Sequence, residues 1–309
     1  MNPHFVTRTQ CPACGSTSGR TLYDRLFTES PIRDYLVSFY EPQGGVEFAC
    51  LEDASFTLLE CEVCGLIYQK FIANDALMER LYDRWIDPAK VFALIDGCQP
   101  PGYFMDLAKQ VANLVDFFGR PAREISCLDF GMGWGHWCKM ARTFGCEVAG
   151  VELSSARIEH AQRSGLTVLR PEEVVRQRFD FINTEQVFEH IPEPFETLVS
   201  LKQSLKPDGL IRLSVPDGWG IKVRLARGDW RAGKGSAESL NAVAPLEHIN
   251  CFHHHNLVRL ADRAGFRVVT MLARHAVSFV DAARDLIKPL YYGLRRRGSA
   301  AIYATPRIG

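Results

Sequence analysis

The sequence predicts an α/β protein: a mostly parallel sheet covered by helices on both faces, preceded by a small metal-binding module. Three observations predict it. Two matching units, Cys11-Pro12-Ala13-Cys14-Gly15 and Cys61-Glu62-Val63-Cys64-Gly65, stand in the first 65 residues. From residue 125 onward, strand-like and helix-like stretches alternate. The first of those strands runs into a glycine string, Gly131-Met132-Gly133-Trp134-Gly135.

The composition narrows the function classes. A chain of 309 residues with 47% hydrophobic content is large enough for about two domains and excludes disorder. Lys plus Arg and Asp plus Glu both number 36, and this cancellation argues against a nucleic-acid partner, whose phosphates attract excess basic charge. No run approaches the roughly 20 apolar residues of a membrane span. The opening Met1-Asn2-Pro3-His4-Phe5 carries neither a basic nor an apolar leader. A cytoplasmic setting is expected, in which the ten cysteines are thiols available to a metal rather than disulfides.

Each C-x-x-C turn can place two sulfurs on one ion, and the two turns together supply the four thiolates of a closed structural zinc site: Cys11, Cys14, Cys61 and Cys64. The glycine after each pair is expected to relieve crowding where amides point at sulfur. Iron in the same cage stays open as an alternative. Between Cys14 and Cys61 lie 46 residues, more than a compact ribbon needs, so an insertion is expected at 27–49. A ligand swap to Cys50 within it is the one alternative set.

Residues 1–75 therefore read as a ribbon-like zinc module and 76–120 as a helical bridge, with helices expected over 75–85 and 103–118. Residues 121–309 form the main domain. Its strands are expected at 125–130, 147–153, 167–169, 179–183, 210–215 and 267–272, and its helices at 135–144, 155–164, 194–205 and 256–264. Lys206-Pro207-Asp208-Gly209 reads as a turn launching the fifth strand. The stretch 279–294 is apolar on one helical stripe and basic off it. It suits either peripheral membrane contact through 279–297 or a crossover helix on the sheet, and the strand-like 301–304 that follows favours the second.

The glycine string carries the cofactor chemistry. A pyrophosphate-binding G-x-G-x-x-G would need glycine at position 136, where His136 stands, and Asp129 would repel phosphate. A carboxylate suits a cation, so S-adenosylmethionine, with its sulfonium and α-amino group, fits better. Twenty-one residues after Gly131, Glu152 ends the second strand, where a carboxylate can accept ribose hydroxyls.

With Leu128-Asp129-Phe130-Gly131-Met132-Gly133-Trp134-Gly135, Gly150-Val151-Glu152, Gln186-Val187-Phe188-Glu189-His190-Ile191 and Leu205-Lys206-Pro207-Asp208-Gly209 in place, residues 100–304 resemble a class I S-adenosylmethionine-dependent methyltransferase. With the cysteines, the whole resembles zinc-module methyltransferases of bacterial sugar and surface-glycan modification. The resemblance implies a Rossmann-like seven-stranded sheet with the last strand antiparallel. It places Asp129, Gly131, Gly133 and Gly135 around the methionine side of the cofactor, Glu152 on the ribose, Leu153 on adenine, and Glu185 and Gln186 near the methionine moiety. The extra C-terminal domain of the larger sugar C-methyltransferases is absent from these residues, which favours an oxygen acceptor.

An acceptor hydroxyl gains from losing its proton, and histidine is the natural base near neutral pH. His248, after a long segment expected to lie over the site, is the preferred base. His190 reads either as a base or as a pocket-wall histidine holding a backbone group. His253-His254-His255 reads as a helix start, because adjacent histidines do not share a face. The stretch 216–245, with Trp219, Trp230, Lys222, Arg224, Arg227, Arg231 and Lys234, is expected to be a lid whose rings stack on a sugar and whose cations clamp a nucleotide- or lipid-linked acceptor. The leading expectation is sugar O-methylation in glycan or natural-product biosynthesis. The alternatives are sugar C-methylation and a non-catalytic scaffold built on the zinc module.

Overall fold

The computed structural model describes residues 2–94, 96–271 and 299–307. In chain order the first strands and helix are β1 (Phe5–Thr7), β2 (Gly19–Leu26), α1 (Ile32–Tyr40), β3 (Ser55–Cys61), β4 (Ile67–Gln69) and β5 (Phe71–Ala73). The bridge holds α2 (Asp75–Arg80), α3 (Pro88–Leu94) and α4 (Pro101–Phe118). The main domain follows with β6 (Ser126–Phe130), α5 (His136–Thr143), β7 (Glu147–Val151), α6 (Ser155–Arg163), β8 (Thr167–Leu169), α7 (Pro171–Val174), β9 (Phe179–Glu185), α8 (Pro194–Gln203) and β10 (Leu205–Pro216). It ends with α9 (Ile221–Arg227), β11 (Asn250–Cys251), α10 (His254–Arg263), β12 (Phe266–Val269) and β13 (Ser299–Pro306).

The main sheet has seven strands in the order β12-β13-β10-β9-β6-β7-β8. Its β10, β9, β6, β7 and β8 pair in parallel, and β13 runs antiparallel to both β10 and β12, so the fold expected from the sequence is the fold observed. One face buries Leu107, Val111 and Leu114 of α4 with Trp137 of α5 against Cys127, Phe181 and Leu210. The other packs Leu198 and Leu201 of α8 and Leu257 and Leu260 of α10 on Ile182, Ile211 and Leu213. These strands are apolar on both faces because both faces are covered.

Three details differ from expectation. The helix expected over 75–85 ends at Arg80 and continues as a π-helical turn, Leu81–Trp85. That turn drives Trp85 into the core, where it meets the Tyr40 ring edge-on at 5.8 Å. Lys206 to Gly209 lie within β10 as a bulge, since pairing with β9 jumps from Leu205–Phe179 to Leu210–Phe181. Residues 27–49, where an insertion is expected, carry α1 and so do not depart from that reading. Residues 216–245 are not an open loop: α9 and a 3-10 turn (Asn241–Val243) carry them, and Leu240, Val243 and Leu246 are buried. The segment 279–297, with its two readings, lies outside the described residues. No helix among the described residues is long and apolar enough to cross a membrane.

The cysteine module shares its sheet with the main domain. β2, β3 and β4 form an antiparallel sheet that β11 completes in the order β11-β4-β3-β2. An aromatic core joins Phe27, Tyr40, Phe56 and Trp85 to Trp230 of the later insertion.

Asp180 fastens the start of β9. Its carboxylate accepts from the Ser126 backbone N–H and hydroxyl, both at 2.8 Å, from Lys206 Nζ at 2.7 Å and from Arg120. Burial alone would raise its pKa, but these donors outweigh it and hold the carboxyl below its ordinary value. Asp180→Ala should therefore lower stability at pH 7 by about 2–4 kcal/mol, roughly 5–10 °C in Tm. The difference should persist above about pH 4 and shrink as pH falls through the depressed native pKa, measurable by thermal denaturation across pH.

Candidate active site and metal centre

The two C-x-x-C units form matching knuckles. Gly15 N–H donates to Cys11 O at 2.8 Å and Gly65 N–H to Cys61 O at 2.9 Å, both glycines in the left-handed region at φ 75° and 73°. A side chain at either would meet no atom closer than 3.8 Å, so the glycines serve the backbone conformation rather than relief of crowding. Sγ of Cys11 lies 3.5 Å from Cys64, and Cys14 lies 3.5 Å from Cys61. All four ligand atoms fall within 4.8 Å of one another. Tetrahedral bonds of about 2.3 Å to zinc would separate sulfurs by about 3.8 Å, so the set is compatible with the ion. Cys64, accepting from Cys11 and from the Leu66 backbone, is held down at about 5. Cys50 stands apart, buried in the aromatic core. Helix α10 grips the knuckles: Asn256 donates to Cys64 O at 2.8 Å, Arg259 to Val63 O at 3.0 Å and Arg263 to Ala13 O.

The cofactor-type loop lies where β6 and β7 end side by side, Asp129 opposite Gly150. Asp129 does not face solvent. It is 3% exposed, accepting from Asn183 Nδ2 at 2.8 Å and from the Cys138 thiol at 3.5 Å, and burial raises its pKa to about 7. Glu152 accepts from Gly133 N–H at 2.9 Å on one oxygen, and from Leu153 N–H at 2.8 Å and Ser154 N–H at 3.0 Å on the other. Arg157 stands 3.8 Å away. Three of the roughly four acceptor positions of a carboxylate are thus filled, so gripping both ribose hydroxyls would require exchanging one backbone bond. Gly133, at φ 54°, has open space where a side chain would be, and a Cβ on Gly131 would strike Val187 at 2.6 Å. Gly135 precedes α5. Leu153 is 82% exposed at the strand tip, an apolar surface free to be covered. These features fit an adenosine-containing cation: a carboxylate at the strand tip, bare backbone in front of it and an uncovered leucine beside it.

Beyond β9, Glu185 pairs with Arg212, and Gln186 takes a left-handed conformation, φ 54°, donating its N–H to Ser214 O at 2.7 Å. A non-glycine residue there stores on the order of 1 kcal/mol of strain, a feature that clusters at functional sites.

His190 and His248 come together from distant sequence. Their rings meet edge-on with centroids 4.9 Å apart. Nδ1 of His190 lies 2.9 Å from Glu247 O, and Nδ1 of His248 faces Asn241 O. A carbonyl only accepts, so each Nδ1 carries the hydrogen and each Nε2 keeps its lone pair. Burial pushes His190 down to about 4 and His248 well below its ordinary value. Glu189, 1% exposed, lies 3.8 Å from His190 Nε2, has no hydrogen-bond partner on either oxygen among the described residues, and is lifted by burial to about 8. One ligand atom from each of Glu189, His190 and His248 lies within 4.8 Å of the others, a donor set able to share a proton or a cation. Glu189 and Glu247 were not singled out from sequence. Their only signal was adjacency to the histidines, which says nothing about burial.

The expected lid residues divide. Trp230 is buried against Tyr23, Tyr35 and Phe56, so it cannot stack on a ligand, while Trp219 is 63% exposed. Lys222 pairs with Glu60, Arg227 with Glu238, and Arg224 binds the carbonyls of Ser239 and Trp219. Arg231 and Lys234 are exposed, and the Lys234 charge acts on Glu189, His190, Glu247 and His248. His253 caps α10, as expected of a helix start.

A family model described as a methyltransferase domain matches residues 103–271. The ubiquinone biosynthesis O-methyltransferase of Actinobacillus pleuropneumoniae is 28% identical over 151 residues, 44% of this chain and 61% of that protein. The enzyme of the same description from Saccharophagus degradans is 31% identical over 153 residues, 46% of this chain and 61% of that one. The chain therefore spans 61% of the length of these relatives. A solved plantazolicin methyltransferase, BpumL, in complex with SAH, covers 75% of this chain and 95% of its own at 16% identity and a TM-score of 0.48.

The four-thiolate cage makes a direct prediction. Purified protein should release one equivalent of zinc when its thiols are titrated with a mercurial, read by a colorimetric chelator. Stripping the metal should cost at least about 2–3 kcal/mol of stability, roughly 5–10 °C in Tm. Release of no metal, or an unchanged Tm after stripping, would refute the assignment.

Proposed function

The chain belongs to the methyltransferase domain family, and on that premise we propose that it transfers the methyl group of S-adenosylmethionine to a hydroxyl oxygen of a small molecule. The observation that carries this is Glu152 at the tip of β7, bonded to the Gly133 amide beside open space. The relatives' naming as O-methyltransferases supports an oxygen acceptor. A sugar or related metabolite, nucleotide- or lipid-linked, is the acceptor suggested by the cysteine module's resemblance. Exposed Lys234, whose charge acts on both histidines, suits its phosphate. The relatives' names favour a second reading, a ring hydroxyl of a ubiquinone-type precursor. A cytoplasmic setting accords with either.

When bound, the cofactor supplies an electrophilic methyl carbon on a sulfonium. The protein's own part is positioning, exclusion of water and removal of one proton. Glu152 would hold the ribose and Leu153 would cover the adenine, while Asp129, Gly131, Gly133, Gly135, Glu185 and Gln186 would frame the methionine end. Asp129, buried and already bonded to Asn183 and Cys138, would act on the cationic end through its charge when ionised, so its proton and the cofactor compete. His248 or His190 would take the acceptor's hydroxyl proton on Nε2, the ring nitrogen left unprotonated. Their burial keeps both imidazoles neutral beforehand.

Calorimetric titration should show binding of S-adenosylmethionine that tightens between pH 6 and 8 as Asp129 ionises near pH 7. Glu152→Ala should weaken it at least tenfold, and Asp129→Asn should weaken it and abolish the pH dependence. Absence of binding to the unaltered protein would sink the proposal. The acceptor is sought by incubating labelled cofactor with fractionated nucleotide-sugars and phenolic precursors. Label should appear on an oxygen, and a methyl–carbon bond in the product would point instead to C-methylation.

A further inference from the structure

We propose that Tyr40, delivered by α1 from the insertion between the two cysteine pairs, is a positioning residue for His190 and His248, acting through Glu247. The inference rests on the reading of those histidines as the proton-accepting pair. Tyr40 is fully buried, and its hydroxyl donates to Glu247 Oε1 at 2.7 Å across 207 positions of sequence. The ring is fixed by edge-on contacts with Phe39 and Trp85, at 5.0 and 5.8 Å. Behind it, the Tyr40 carbonyl accepts from Gln43, Gly44 and Gly45, and Gly44 bridges to Ile86. The phenol therefore reaches Glu247 from a rigid base.

Glu247 is where the histidine geometry is set. Its main-chain oxygen accepts from Nδ1 of His190, which fixes that ring's tautomer, and its neighbour is His248 itself. The preceding residue, Leu246, sits at φ 71°, a conformation that a branched side chain does not hold unaided. Two groups from the cysteine module's side hold this turn. Gln69 donates to Ala244 O and His248 O, both at 3.2 Å, and Tyr40 holds the Glu247 carboxylate. Gln69 fastens the ends of the turn, while Tyr40 fastens its middle. Removing only the phenol oxygen should let Glu247 rotate and loosen its carbonyl from His190 Nδ1.

The test is nitrogen-15 NMR of histidine-labelled protein, which reads each ring's tautomer without knowledge of the acceptor. In the unaltered protein His190 should show a protonated Nδ1 and a bare Nε2. Tyr40→Phe should average the two His190 nitrogens toward mixed tautomers, while zinc content and the S-adenosylhomocysteine affinity change less than twofold. Glu247→Gln keeps an oxygen for the phenol and should retain the single tautomer, whereas Glu247→Leu should lose it. An unchanged His190 spectrum in Tyr40→Phe, or equal disturbance by Glu247→Gln and Glu247→Leu, would overturn the proposal. If the histidines take no proton in the reaction, the tautomer coupling still stands or falls on these spectra alone.

Discussion

Three backbone N–H groups converge on the Glu152 carboxylate, from Gly133 on one strand tip and from Leu153 and Ser154 on the next. The glycine string would otherwise be free to wander, since glycines give up the most conformational entropy on ordering. One charged acceptor takes hydrogen bonds worth about 1.5–3 kcal/mol each and fixes the loop before any ligand arrives. The register of β6 and β7 makes this geometry possible by setting Asp129 beside Gly150. The bare Gly150 leaves room for Met132, whose Sδ would lie 2.1 Å from any Cβ there. Ligand binding then becomes an exchange of partners at one carboxylate rather than the ordering of a loop, which is the economy of preorganisation.

The cysteine module is bound into this machinery. Arg8 of the module donates to Ile249 O, Asn250 Oδ1 and Pro192 O, and Asn250 in turn donates to Phe188 O and Ile191 O. The loop carrying Glu189 and His190 is therefore tied to residue 8 through two side chains. The knuckle carbonyls are held by side chains of α10, whose other face packs on the main sheet. A metal in the four-thiolate cage would stabilise more than a peripheral finger, because loosening the knuckles would release β4, to which β11 is paired.

How much of this could be read from sequence depends on which contacts are local. The strands of the main sheet, the knuckles, Glu152 at its strand tip and the final strand were legible, because each is written in a short pattern of apolar residues, glycines or cysteines, whereas the antiparallel direction of that strand came only from the family resemblance. The fate of Trp219 and Trp230 was not: both stand in one Gly-rich, basic stretch, and only packing against Tyr23, Tyr35 and Phe56 separates them. Asp129 was legible as an acidic residue before glycines, but not as one that burial lifts to about 7, since that burial is a tertiary feature and the donors Asn183 and Cys138 offset it only in part. The Glu189–His190–His248 cluster, like the phenol of Tyr40 on Glu247, is assembled by tertiary structure alone, across separations that no local pattern records.

A crystal structure of the protein with S-adenosylhomocysteine tests the central claim most directly. The account predicts ribose hydroxyls within hydrogen-bond distance of the Glu152 carboxylate, the adenine against Leu153, and at least one of the three backbone bonds to Glu152 exchanged. A nucleoside bound elsewhere, with Glu152 still holding Gly133, Leu153 and Ser154, would contradict it.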